Sequence, residues 1–287
     1  MKKIAFAHSV EPSKLRPEIT LLRESLHRQN IATELTNWRD PHIPWQDFDA
    51  VFMRPCSEYF LYETEFYQWL DTIDLLGIPA INSTQTIRWN MNKRYLQELQ
   101  QHGIAIVPSC FIAQGSTLSL TDTLNTLGWS EIIIKPSVSA GAYETFRFYR
   151  NDAPAYQASA QRILATTDLI IQPFLPAILE EGEWSLLFIK GQLSHAVIKR
   201  AKAGDFRIQD VHGGTYERII PPPALVELAT QALHCCPDQA IYGRVDGVFD
   251  REAFLIMEIE LIEPFLYSTV NEALIDQLTR EIAAYVT

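Results

Sequence analysis

Short apolar runs alternating with stretches of helical period over the first ninety residues constrain this chain most. Residues 4–7 read as a buried strand, and Leu15, Ile19, Leu22 and Leu26 recur on one helix face over 15–28. Residues 50–53 are a second apolar run, 62–76 a second helical stretch closed by Gly77, and 79–81 a further short strand. Strands that alternate with helices imply a parallel sheet, so residues 1–90 are expected to form an open α/β domain.

A different pattern follows. Residues 92–102 read as a helix capped by Gly103, then come a strand at 106–112, a helix at 118–127 and a strand at 131–135. A loop of small residues at 136–142 and a strand at 144–149 complete a compact α+β lobe, placed at 91–172. The rest, 173–287, is strand-rich. Strands are expected at 169–172, on the boundary, and at 184–190, 193–199 and 206–209, and a helix at 224–234 after Pro221-Pro222-Pro223. Strands at 241–249 and 253–261 form a hairpin around Asp250-Arg251-Glu252, and a helix at 271–285 ends the chain.

Composition narrows the function. With 287 residues, 47% hydrophobic and 21% charged, the chain can bury a sizeable core. A net charge of -11 argues against general nucleic-acid binding while leaving room for a local phosphate pocket. No apolar run approaches the roughly 18 residues of a membrane span. The N-terminal apolar segment is too short for a signal peptide, so a cytoplasmic protein is expected. Cys56, Cys110, Cys235 and Cys236 lack metal-type spacing and read as reduced and structural, and the histidines show no ligand spacing.

The C-terminal hairpin carries the strongest chemical signal. In Arg244-Val245-Asp246-Gly247-Val248, alternation places Arg244 and Asp246 on one strand face. In Ile256-Met257-Glu258-Ile259-Glu260-Leu261, Glu258 and Glu260 share a face, with Leu255, Met257 and Ile259 expected in the core. Three carboxylates on adjacent strands repel unless a cation lies among them. Oxygen-only donors suit magnesium, which completes its shell with waters and substrate phosphates. The plainer alternative is a solvated face on which Arg244 neutralises one acid.

Further along the chain, a buried strand ends in Lys135 and runs into Pro136-Ser137-Val138-Ser139-Ala140-Gly141-Ala142. Such a loop can bring backbone N–H groups to phosphate oxygens while the lysine acts as a point charge. It is not a Walker A loop, and a lysine at a strand end often only reaches for water. Gln172, Pro173, Phe174 and Leu175 follow an apolar strand, with Pro173 stiffening the chain. This linker can frame an adenine ring through its backbone, with Glu183 accepting from ribose hydroxyls, or it can be a plain hinge. Lys199, Arg200, Lys202 and Arg207 form a basic set before the turn Val211-His212-Gly213-Gly214-Thr215. Arginine forks suit phosphate and carboxylate, although a solvated strand edge has the same composition. Arg54, Ser57 and Tyr59, just past a parallel strand, fall where open α/β sheets bind ligands. They are candidates to grip a substrate, as are Lys199, Arg207, Gly213 and Gly214; a packed loop is the other reading.

In this order the pieces resemble the ATP-grasp superfamily, and within it the branch of glutathione synthetase and the ribosomal-protein-S6 modification ligases. The resemblance covers nearly the whole chain. It rests on Asn92-Lys93-Arg94, Ile134-Lys135-Pro136, Gln172-Pro173-Phe174-Leu175-Pro176-Ala177-Ile178, Glu181-Gly182-Glu183 and the set Asp246, Glu258 and Glu260. It implies an ATP-grasp fold: a small nucleotide lobe and a large metal-bearing lobe behind an N-terminal α/β pre-ATP-grasp domain. By resemblance Lys93 and Lys135 contact ATP phosphates, the backbone of Gln172 to Leu175 frames adenine, and Glu183 binds ribose. Asp246, Glu258 and Glu260 hold one or two magnesium ions, and Arg200 steadies the transferring phosphoryl group. Glu260 departs from the pattern, since many relatives have asparagine there. Met257-Glu258-Ile259-Glu260-Leu261-Ile262-Glu263-Pro264, Gly182-Glu183-Trp184-Ser185-Leu186 and Ser194-His195-Ala196-Val197 are similar to a narrower group. That group is the cycloserine-forming cyclo-ligases, which use ATP to close O-ureido-D-serine into a ring.

The expected activity is therefore ATP- and magnesium-dependent ligation of a carboxylate to an amine through an acyl-phosphate, on a small amino-acid-like substrate. No convincing Ser-His-Asp or Cys-His set is present, and this chemistry needs none. The rivals are a cyclo-ligase acting on an amino-acid derivative, a nucleotide-binding module without catalysis, and a carbohydrate- or peptide-binding α/β protein. The partner is a small molecule rather than nucleic acid or membrane; a homodimer is one arrangement the sequence leaves open.

Overall fold

The computed structural model describes residues 1–9, 16–56, 58–202 and 213–286. Strands β1 (Lys2–His8), β2 (Ile31–Asn37), β3 (Ala50–Met53) and β4 (Ala80–Ile81) form a parallel sheet in the order β2-β1-β3-β4. Helices α1 (Pro17–Arg28) and α2 (Glu63–Leu75) cover its two faces. Ile4, Phe6 and Phe52 pack with α1, and Ala5, Ala7, Val51 and Met53 with α2. Burial on both faces is why β1 and β3 read as unbroken apolar runs. The expected strands lack β2, whose mostly half-exposed edge position keeps polar residues along its length.

The second lobe has an antiparallel sheet in the order β5-β8-β6-β7. Its strands are β5 (Cys110–Ile112), β6 (Glu131–Pro136), β7 (Phe146–Tyr149) and β8 (Leu169–Pro173). Helices α5 (Leu120–Leu127) and α6 (Ala153–Thr166) pack on one face of this sheet. The expectation for this lobe contains no helix at α6, since two of its four buried side chains are alanines and mark the helical stripe only faintly. The single strand expected at 106–112 is two pieces. Residues 105–107 hydrogen-bond along Ile256, and Cys110–Ile112 pairs with β8. Pro108 lies between them, and its missing N–H suits the point where the chain changes sheets.

The third sheet, in the order β11-β10-β9-β12-β13, is antiparallel. It is built from β9 (Glu183–Ile189), β10 (Gln192–Arg200), β11 (Thr215–Ile219), β12 (Tyr242–Asp250) and β13 (Ala253–Glu260). The short helix α7 (Ala177–Glu180) precedes β9, and helix α8 (Pro223–Leu233) packs into the sheet's core. Thr215, expected in a turn, opens β11 instead, and the strand expected at 206–209 lies outside the described residues. The last helix, α9 (Leu274–Val286), returns to the first domain: Leu274, Leu278 and Ile282 share a core with Ile19, Leu22 and Leu26.

Helices α3 (Thr84–Met91) and α4 (Tyr95–Gln101) join the units, where one helix over 92–102 was expected. Polar side chains bolt them to the last sheet. Asn90 exchanges hydrogen bonds with Ile259 and Leu261, the Tyr95 hydroxyl with Ile259, and Asn82 with residues 241, 242 and 261. These partners and residues 105–107 occupy the backbone of β13, which would otherwise be an open sheet edge. Among the described residues no helix is long and apolar enough to cross a membrane, and all four cysteines are free.

Candidate active site

A cavity of about 430 Å³ runs between the second and third sheets and reaches the first domain. The period-two rule explains much of its lining. Ile132 and Ile134 of β6 enter the lobe core, so Ile133 and Lys135 face the cavity. On β10, Lys199 points inward and is buried, while Arg200 points outward to Glu217.

A β-bulge decides the acidic face. Asp246 pairs with Glu258 and Gly247 with Ile256, leaving Met257 as the extra residue. Before the bulge Phe254 and Ile256 enter the core; after it Ile259 and Leu261 do, so Glu258 and Glu260 turn to the cavity. Leu255 and Met257, expected in the core beside Ile259, pack instead with Phe174, Leu175 and Ile178. The reason is that one inserted residue shifts the phase of alternation.

The charged side chains interlock. Arg244 donates to both oxygens of Asp246, from Nε at 2.8 and 3.1 Å and from Nη2 at 2.7 Å, and also pairs with Glu260. Lys199 lies between Glu183 and Asp246. Burial works against the Asp246 charge, but Arg244 and Lys199 outweigh it and hold the carboxyl at about 2. At Glu260 burial wins over Arg244 and pushes the group up to about 7. Lys93 bridges the Ser139 carbonyl at 2.6 Å and Glu258 at 3.1 Å, which ties the small-residue loop to the acidic face. Burial lowers Lys135 to about 8, with Glu258 opposing. A desolvated lysine facing a cavity gains most from an anionic ligand.

The opposite wall is apolar. Phe174, Leu175, Ile178, Val107 and Val248 form one cluster against Ile133, Leu255 and Met257, a slot suited to a flat ring. Arg147 stacks over Phe174 with its guanidinium carbon 3.6 Å from the ring centre. Backbone framing of such a ring is narrower than the linker suggests, because Pro173 has no N–H and Phe174 N–H donates to Glu131 O at 2.9 Å. Gln172 lines the slot and donates from Nε2 to Ser109. Glu183 reaches the cavity but is paired with Lys199 rather than open to a ribose. Gly182 makes this pairing possible: at φ +106°, a Cβ there would lie 2.6 Å from Lys199 O.

The structure thus gathers Lys93, Lys135, Gln172, Pro173, Phe174, Leu175, Glu183, Lys199, Asp246, Glu258, Glu260, Arg54 and Tyr59 around one cavity. It does not bring Arg200 there, because strand alternation turns that residue to solvent. Gly213 and Gly214 also lie off the cavity, and Ser57 and Arg207 fall outside the described residues. Arg200→Ala is therefore expected to leave ADP formation within about twofold, as for other exposed ion pairs. A tenfold loss in steady-state ADP release would place Arg200 in the chemistry after all. Reasoning from sequence gave Arg244 only a neutralising role and passed over Glu18 and Glu263; Arg244, two residues before Asp246 on the same face, had a readable signal.

Among the described residues no three His, Cys, Asp or Glu side chains converge closely enough to share one ion, as Arg244 and the lysines now hold the acids. The donors are nonetheless all carboxylate oxygens facing one cavity. Glu258 and Glu260 are each about one-third exposed to it, which fits a hard cation that keeps some of its waters.

The chain is also similar to known proteins in sequence and in fold. Residues 4–82 match the family model for the N-terminal domain of the D-cycloserine synthetase DcsG. The chain is 28% identical over 267 residues to the cycloserine biosynthesis protein DcsG of Streptomyces lavendulae, covering 88% of each chain. It is 27% identical over 232 residues to a glutathione synthetase of Prochlorococcus marinus (strain MIT 9313), covering 77% of this chain and 69% of that protein. Among solved structures, a crystal structure of D-cycloserine synthetase DcsG superposes with a TM-score of 0.87 at 23% identity, over all of both chains. The D-alanine–D-alanine ligase of Bacillus anthracis complexed with ATP superposes with a TM-score of 0.75 at 16% identity, over 100% of this chain and 97% of that one.

Proposed function

We propose that this chain, an ATP-grasp ligase by fold and by sequence, transfers the γ-phosphoryl group of ATP to a carboxyl-type oxygen of a small amino-acid-like substrate. An amine then displaces phosphate from the acyl-phosphate. The observation that carries this reading is a single cavity with an apolar slot at one end, a lysine–carboxylate–arginine cluster in the middle and the first domain at the other end.

The slot at Phe174 and Leu175 takes the adenine ring. Lys93 and Lys135 face the triphosphate and balance its charge, in surroundings dry enough to strengthen each contact. Glu258 and Glu260, with Asp246 beside them, are the residues that would hold magnesium. When bound, that ion screens the phosphate oxygens and polarises the transferring group. Arg244, fixed by Asp246 and Glu260, lines the same cavity and presents its guanidinium near the reacting oxygens. Residues 139–142 cover the phosphate end, where the Lys93 contact to Ser139 keeps the loop down and water out.

Ring closure within one substrate molecule is the second reading. It is favoured by the similarity of residues 4–82 to the DcsG N-terminal domain, since that segment supplies Glu18 and Arg54 to the far end of the cavity. Measuring ADP release from ATP and magnesium with amino acids and O-ureidoserine, each with and without an added amine, separates the two. Release that needs the amine supports ligation; release without it supports ring closure. If calorimetry finds no ATP binding in the presence of magnesium, both readings fail.

A further inference from the structure

The segment between β13 and α9, residues 262–271, borders the cavity and is pinned by donors from elsewhere in the chain. The Tyr242 hydroxyl donates to Ile262 O at 2.5 Å, Arg54 Nη2 to Pro264 O at 3.0 Å, Arg244 Nη1 to Phe265 O at 3.1 Å and Arg218 Nη1 to Val270 O at 3.4 Å. Arg54 is itself paired with Glu18, and Glu263 Oε2 accepts from the Cys56 N–H at 2.7 Å. Anchored on both sides, the middle of the segment holds Tyr267 in one pose. This residue has no part in the phosphoryl transfer described above.

Tyr267 is left-handed, with φ 49° and ψ 39°. A residue with a Cβ is costly there and persists where its surroundings over-determine it, most often at functional sites. Its ring is clasped edge-on by Tyr216 of β11 and by Phe265, each with its centroid 4.6 Å away, and the Arg244 guanidinium carbon lies 5.6 Å from the ring centre. The residue is 6% exposed and lines the cavity, yet among the described residues its hydroxyl has no hydrogen-bond partner. Packing alone would be served as well by phenylalanine, so the open hydroxyl is what packing does not explain. Burial raises this phenol above its ordinary value although Lys199 and Arg244 act the other way, so it keeps its proton and remains a donor.

We propose that Tyr267 is a further catalytic residue, whose hydroxyl donates a hydrogen bond to the acyl oxygen of the substrate as nitrogen attacks the acyl-phosphate. This deepens the proposed function and rests on it. As the C–N bond forms, the carbonyl electron pair moves onto oxygen, where Tyr267 and Arg244 hold the charge. The pair returns when the C–O bond to phosphate breaks, and the nitrogen's proton leaves with phosphate. Tyr267 keeps its own proton throughout. A neutral donor binds a neutral carbonyl weakly and an oxyanion strongly, so the contact accelerates the attack rather than tightening the ground state. The role is the same whether the nitrogen belongs to a second molecule or to the same one.

Tyr267→Phe tests this, because it removes the hydroxyl and keeps the ring. With ATP, magnesium and O-ureidoserine, or a free amino acid with an added amine, steady-state ADP release is expected to fall about 100-fold. KM for ATP is expected to stay within about twofold. Rapid quench is expected to show the first equivalent of ADP forming at the rate of the unsubstituted protein, since phosphoryl transfer precedes the attack. A steady-state loss below about tenfold overturns the inference and leaves the ligase reading intact. So does a first turnover slowed as much as the steady state, which would put the hydroxyl in phosphoryl transfer. Unfolding of Tyr267→Phe, read by circular dichroism, overturns it too, because the hydroxyl would then hold the fold. ADP release from the unsubstituted protein with none of these substrates also overturns it. Where calorimetry finds no binding of ATP with magnesium, the ligase reading goes as well.

Discussion

Lys135→Ala and Glu258→Gln are each expected to cut ATP-dependent ADP formation by roughly 10²–10³-fold while the protein stays folded. Lys135 projects from β6 into the cavity, and burial depresses it to about 8, so the folded state gains little from its charge. On the proposed reading, removing it takes away a desolvated positive charge where phosphoryl charge develops. Glu258 offers a different test, because glutamine keeps its shape and removes only its charge. Its ion pair is with Lys93 at 3.1 Å; the glutamine carbonyl oxygen can still accept from that lysine, which also keeps its bond to Ser139, so the fold tolerates the change. Steady-state ADP release, with circular dichroism to verify folding, reads both. Near-normal turnover in either variant would remove that residue from the site.

Asn82→Leu is expected to cost about 3–5 kcal/mol of stability. The side chain is 1% exposed and sits where the first domain meets the last sheet. Its Nδ2 donates to Tyr242 O at 2.9 Å and Leu261 O at 2.8 Å, and its Oδ1 accepts from Ile241 N at 2.6 Å. Leucine has a similar volume but leaves those three backbone groups buried and unpaired. Urea unfolding should therefore show a much lower midpoint with an unchanged slope. A loss below about 1 kcal/mol would mean that the sheet finds other partners or water there.

Much of this architecture can be read from local pattern. The strand–helix alternation of the first ninety residues became the parallel sheet, because crossovers leave both of its faces covered and its strands uniformly apolar. The acidic hairpin, Lys135 and its loop, and the linker at Gln172 all reached one cavity. Elements with weak patterns escaped: β2 at a polar edge, α6 with alanines on its buried side, and β11 beside a presumed turn. Arg200 was misplaced by a single step of strand alternation, since Lys199 and Arg200 are chemically alike but face opposite sides of β10.

The order of apolar runs, caps and charged pairs along the chain was enough to set the class of fold, the succession of parallel and antiparallel sheets and most of the predicted residues that meet around one cavity. These signals are local, and hydrophobic period and turn chemistry act over a few residues. Only the tertiary structure decided which charges neutralise which. Glu183 goes to Lys199, Asp246 to Arg244, and Glu258 to Lys93, and these pairings join segments up to 165 residues apart. The same holds for the bulge at Met257 and for the meeting of Glu18, Arg54 and Glu263. A buried charge takes whichever partner the packing brings near it, and spacing along the chain does not specify that partner.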